Sequence, residues 1–175
     1  MIQTEQNVHI AAPIDQVWAY AKDVERWAEI MPGYQECQIE DEDNSRWVLK
    51  VGVGGLVRTV KVQVHVDRWA GPEAVDFTFK AVGDPVTGGG SYRAAANGAG
   101  TDVTLLVKVE GQGPMAPMWE AMGGPMLPKF AKSFAEQLRD RIEAIAGGAT
   151  LEEVTAKKPG LWERFLAWLK GLFGG

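Results

Sequence analysis

With 175 residues, 46% of them hydrophobic and 23% charged, the chain can build one domain of ordinary size plus an appendage. Its formal charge of −5 is uneven: Lys157, Lys158, Arg164 and Lys170 against Glu163 give +3 beyond residue 156, leaving −8 before it. This excludes a basic nucleic-acid stripe on the main domain, and a single cysteine, Cys37, excludes an internal disulfide or a cysteine zinc site.

The opening MIQTEQNVHI has neither the basic region nor the apolar core of a signal peptide. No apolar run approaches the ~20 residues that cross a bilayer, so the expected location is the cytoplasm. NVHIAAP predicts a short strand ending at Pro13. Ile14, Val17, Trp18 and Ala21, then Val24, Trp27, Ile30 and Met31, have helical spacing with a break near Lys22-Asp23. Two short helices are expected, the second stopped by Pro32-Gly33.

A long stretch of period-two alternation follows. Trp47, Leu49, Val51 and Val53 share one face, and Val60, Val62, Val64 and Val66 another. Phe77 and Phe79, then Val103, Leu105, Val107 and Val109, repeat the pattern. One apolar and one polar face per strand predicts an antiparallel sheet solvated on one side. Glycines in GGLVRTV and TGGGSY are read as turn and bulge positions. Leu127, Phe130, Phe134, Leu138, Ile142 and Ile145 then recur every three or four residues, predicting an amphipathic helix that Gly147-Gly148 ends. The expected fold is α+β: a curved antiparallel sheet gripping a long C-terminal helix over residues 1–146.

The stretches APIDQVWAYAKDVERWAEIMPGYQ, WVLKVGVGGLVRTVKVQVHV, GGGSYRA and GPMAPMWEAMGGPMLPKFAKSF resemble the CoxG family of carbon monoxide dehydrogenase accessory proteins, a branch of the START-like (SRPBCC) helix-grip superfamily. The resemblance covers roughly residues 5–145. It implies a non-enzymatic accessory protein that brings a molybdenum hydroxylase-type dehydrogenase to the membrane. It also implies a cavity for a quinone, menaquinone or ubiquinone.

The inventory for catalysis is thin. His65 lies on the polar face of its strand, and His9 could face either way. Two isolated histidines provide no metal-ligand spacing, so no metal is expected. Cys37 has no base nearby in sequence and reads as a small buried residue. GQGPMAPMWEAMGGPMLPKF, in contrast, concentrates Met115, Met118, Met122 and Met126 around Trp119, ahead of Phe130. Methionine adapts to irregular apolar partners. Its glycines and prolines predict a mobile entrance with no regular helix. Met122 and Met126 fit either the core under the helix or a cavity wall, whereas Met115 and Met118 are assigned to the lining or entrance. The expected cavity sets Met118, Trp119, Met122, Met126, Phe130 and Phe134 against Phe77, Phe79, Leu105 and Val107. With few polar residues converging there, its ligand should be mostly hydrocarbon, such as an isoprenoid.

Residues 147–160 read as a flexible tether, and 161–175 as an amphipathic helix. At ~100° per residue, Leu161, Trp162, Phe165, Leu166, Trp168, Leu169, Leu172 and Phe173 fall within an arc of about 160°. The opposite side holds Glu163, Arg164 and Lys170. Such a helix reaches ~20 Å, too short to span a bilayer, and suits the interface plane. Lys157, Lys158 and Lys170 would favour an anionic membrane surface, placing the protein peripherally on the inner face of the cell membrane. The alternatives are a polyketide cyclase- or dehydratase-like enzyme of the same fold, and an interaction module with a filled core.

Overall fold

A computed structural model of the chain describes residues 1–53 and 56–156. The elements are β1 (Ile2–Ile10), α1 (Ile14–Ala21), α2 (Val24–Ile30), β2 (Tyr34–Ile39), β3 (Asn44–Val53) and β4 (Leu56–Ala70), followed by β5 (Ala74–Ala81), β6 (Val86–Asn97) and β7 (Gly100–Gly111). Three helices complete the described chain: α3 (Ala116–Gly123), α4 (Leu127–Ala146) and α5 (Leu151–Ala156). The seven strands form one antiparallel sheet in the order β1-β7-β6-β5-β4-β3-β2. β1 and β2 therefore hold opposite edges, and α1 and α2 carry the chain between them.

The expected break between α1 and α2 is explained by Asp23. Its carboxylate accepts a hydrogen bond from the Glu25 backbone N–H at 3.1 Å, capping α2. The α4 stripe divides along its length. Ala135, Leu138 and Ile142 are buried in a close-packed core with Ile10, Val17, Ala21, Ile30 and Val103. The preceding turns of α4 stand over a void instead. Arg141 is also buried, with Tyr20 Oη 3.5 Å away and the Glu29 carboxylate at 3.8 Å, so α4 is tied to both short helices.

Three expectations need correction. The glycine- and proline-rich segment contains a regular helix, α3, because Pro117 and Pro128 occupy the first turns of α3 and α4. There the missing N–H would have no intrahelical partner in any case. Residues 151–156, read as part of a tether, form α5, and Val154 is buried. A reciprocal cap starts α5: Thr150 Oγ1 accepts from the Glu153 N–H, and the Glu153 carboxylate accepts from the Thr150 N–H at 3.0 Å. Residues 157–160 of that tether lie outside the described residues, as do Leu161, Trp162, Phe165, Leu166, Trp168, Leu169, Leu172 and Phe173 of the tail with Lys157, Lys158 and Lys170. The third correction concerns Gly88, Gly89 and Gly90, which sit within β6 and not at a turn. Among the described residues no helix is long and apolar enough to cross a membrane.

Candidate functional site: an apolar cavity under the long helix

The apolar faces of β3, β4, β5 and β7 turn inward and meet α2, α3 and the first half of α4 around a cavity of about 500 Å³. From the expected set, Trp119, Met122, Met126, Phe130 and Phe134 line it from the helices, and Phe77, Phe79, Leu105 and Val107 from the sheet. Met115 and Met118, assigned to the lining or entrance, do not line it. Both are exposed, Met115 at the N-cap of α3 and Met118 on it, while Trp119 and the partly exposed Met122 reach the cavity.

Sequence reading missed the other half of the wall: Trp27, Met31, Trp47, Leu49, Val51, Val60, Val62, Val64, Val66 and Trp69. Their alternation was visible, but a pattern marks an inward face without saying whether the space behind it is filled. Trp27 is the centrepiece. Its indole N–H donates to the Ala21 carbonyl at 2.7 Å, and its ring meets Phe77, Phe134 and Tyr92 at centroid distances of 5.9, 6.2 and 6.0 Å.

The β6 glycines shape the opposite wall. In the register of the sheet Phe77 faces Gly90 and Phe79 faces Gly88. A Cβ on Gly90 would stand 2.7 Å from Phe77 Cζ, and one on Gly88 would stand 2.3 Å from Phe79 Cζ. The two rings thus lie across β6 because β6 carries no side chain beneath them.

Polar groups at this wall are few and mostly paired. Arg58 and Asp84 are 2.6 Å apart, and the Glu120 carboxylate holds the Met1 ammonium. Ser91 completes the set of polar side chains. Both histidines are exposed and lie away from the cavity, His9 bonded to Asp102 and His65 to Asn44. Among the described residues no group of three or more His, Cys, Asp or Glu is placed to hold a metal. The Tyr92 hydroxyl is buried with no hydrogen-bond partner among the described residues, and burial pushes its pKa above the ordinary phenol value.

Cys37 is half-buried on β2, away from the cavity. Burial first, then the carboxylates of Glu25, Glu29 and Asp23, push its thiol up to about 11. Thiolate at pH 7 is then roughly one part in 10⁴, too little for a nucleophile. Iodoacetamide should alkylate the folded protein at least tenfold more slowly than the urea-unfolded chain at pH 8. Equal rates would show an ordinary thiol.

The arrangement can hold a hydrocarbon-rich molecule and offers no nucleophile paired with a base. A family model described as polyketide cyclase / dehydrase and lipid transport matches residues 1–144. The chain belongs to this family. A curated relative, a putative polyketide cyclase from Streptomyces cyaneus, is 44% identical over 36 residues, 21% of this chain and 24% of that protein. The match therefore spans about a quarter of that relative's length. A conserved protein from Geobacillus kaustophilus has a similar structure, with a TM-score of 0.69, 17% identity, and coverage of 81% of this chain and 95% of that one. A START superfamily protein from Mycobacterium smegmatis gives 0.60 and 16%, covering 79% and 97%. At these identities the likeness is one of fold: this member of the family is a START-like helix-grip domain.

Proposed function

We propose that this protein is a membrane-associated carrier that binds a respiratory quinone, menaquinone or ubiquinone, in the cavity. In this reading it couples a carbon monoxide dehydrogenase-type oxidoreductase, a molybdenum hydroxylase, to the inner face of the cell membrane. The observation that carries the carrier reading is the cavity wall, apolar throughout its depth and polar only at a few mostly paired groups. A volume of about 500 Å³ falls in the range of small-molecule sites. It would take a quinone ring and the start of an isoprenoid chain. The choice of quinone and dehydrogenase rests on the sequence resemblance to the CoxG branch.

A cyclase-like activity is the second reading, favoured by the family description and by the name of the Streptomyces cyaneus relative. It would have to work through Ser91, Arg58, Asp84 or Glu120, the polar side chains at the wall. One experiment separates the two. Organic extracts of the purified protein are analysed by mass spectrometry, and the protein is incubated with poly-β-ketone substrates. A co-purifying isoprenoid quinone without turnover supports the carrier; cyclised product sinks it.

Membrane attachment is assigned to the tail on its sequence. Its eight large apolar side chains are worth ~1.5–3 kcal/mol each if fully buried. Trp168→Glu puts a charge within that apolar arc and should lower co-sedimentation with anionic vesicles at least tenfold. Lys170→Glu should weaken it only on anionic lipid and at low salt. Undiminished pelleting of Trp168→Glu would remove the tail from the mechanism.

A further inference from the structure

The cavity wall reaches solvent at a rim, the end of the sheet that carries Arg58, Asp84 and Glu120. On one side Arg58, at the start of β4, pairs with Asp84 in the β5–β6 loop. That loop is fastened to the end of β7, where the Gln112 N–H donates to the Pro85 carbonyl at 2.6 Å and the Gln112 side chain donates to Thr87 at 3.1 Å. The chain then turns into α3, whose Ala116 packs on Gly111 and whose Glu120 holds the Met1 ammonium.

Large apolar side chains stand outward along this rim. Val57 is 65% exposed, Val82 53%, Met115 50% and Met118 43%. The unpaired charges around them are mainly positive, with Glu110 near the end of β7 as an exposed exception. Lys50, Lys61, Lys80 and Lys108 lie in the halves of their strands nearest the rim, and Lys129 and Lys132 in the first two turns of α4. All six are exposed, and none is in an ion pair among the described residues. At the far end of the sheet the arginines are neutralised: Arg46 by Glu40, and Arg68 and Arg93 by Asp76. Glu42 and Asp43 add negative charge there, in the β2–β3 turn. Among the described residues the domain is electrically polar: every unpaired lysine except Lys22 lies toward the cavity opening, together with Val57, Val82, Met115 and Met118. The exposed Ile39 and Leu151 lie elsewhere.

We propose that the rim is a docking surface for an anionic lipid bilayer, seated with Val57, Val82 and Met118 in the headgroup layer and the cavity open toward the acyl chains. An apolar rim with free lysines behind it matches a surface that is apolar within and negative without. The proposal rests on the carrier reading for its purpose, since an apolar ligand has to enter from an apolar phase. The surface is distinct from the tail, which would supply residence while the rim sets orientation.

The test uses the full chain in a Cys37→Ser background. A nitrobenzoxadiazole dye is attached after Val82→Cys at the rim, or after Glu42→Cys at the far end. On phosphatidylglycerol-containing vesicles the dye at 82 should brighten severalfold and shift to the blue, and the dye at 42 should not. On phosphatidylcholine alone, or in high salt, the response at 82 should fall by more than half. A dye at 82 that stays water-exposed on bound vesicles, or responds no more than the dye at 42, overturns the proposal. The triple variant Val57→Asp, Val82→Asp, Met118→Asp gives a second reading. It should take up a quinone from vesicles at least tenfold more slowly than the parent while binding a water-soluble short-chain quinone equally well. An unchanged uptake rate also overturns docking. A parent that shows the dye response but binds no short-chain quinone leaves docking in place and defeats the carrier reading.

Discussion

Gly88→Val and Gly90→Val are each expected to destabilise the fold by about 3 kcal/mol or more, lowering Tm by roughly 6–12 °C. Two obstacles act at each site. A Cβ at Gly90 meets the Leu106 carbonyl oxygen at 2.2 Å and the Phe77 ring at 2.7 Å; at Gly88 it meets the Lys108 carbonyl at 2.3 Å and the Phe79 ring at 2.3 Å. A ring can tilt into the cavity at modest cost, but a ladder carbonyl cannot retreat without loosening β6 from β7. Gly147→Ala is the control, because its nearest neighbour would be at 3.4 Å, an ordinary contact. Thermal unfolding decides it: a shift under 2 °C in both valine variants would mean that the phenylalanine rings do not need the bare strand.

Filling the cavity should separate binding from folding. Met122→Trp combined with Val107→Trp adds bulk to the cavity wall from α3 and from β7. The expected result is at least tenfold weaker binding of a short-chain quinone by calorimetry, a loss of about 1.4 kcal/mol or more, with Tm within a few degrees of the parent. Overpacking normally destabilises a core, but only where no void receives the added atoms. Unchanged affinity would put the ligand elsewhere.

Much of this fold was legible because each strand had a single apolar face, and because α4 kept its stripe for twenty residues. The misses share a cause: the deciding contact lies outside the segment being read. A proline count treats Pro117 as a breaker, yet a first helical turn tolerates it. Composition made residues 147–160 look like a tether, while Thr150 and Glu153 carried the pattern of a reciprocal cap. The β6 glycines looked like turn residues because Phe77 and Phe79 belong to the neighbouring strand. At the site Phe77, Phe79, Trp119, Phe130 and Phe134 were foreseen, but Trp27, Trp47 and Trp69 were not. Met115 and Met118 stand outside the lining, misplaced because a helix was not expected there. The depth of the cavity was invisible, since filled and empty interiors are written in the same residues.

The uneven support beneath α4 gives that helix the mechanics of a cantilever. Its far half is clamped by Ala135, Leu138 and Ile142 in the packed core and by buried Arg141. Leu127 and Phe130 project over the cavity, and Phe134, resting on Trp27, marks the edge of the support. Thermal bending is therefore concentrated in the overhanging turns. Amide exchange along the helix should accelerate from residue 142 back toward residue 130, and an occupied cavity should flatten that gradient by giving the beam a second support.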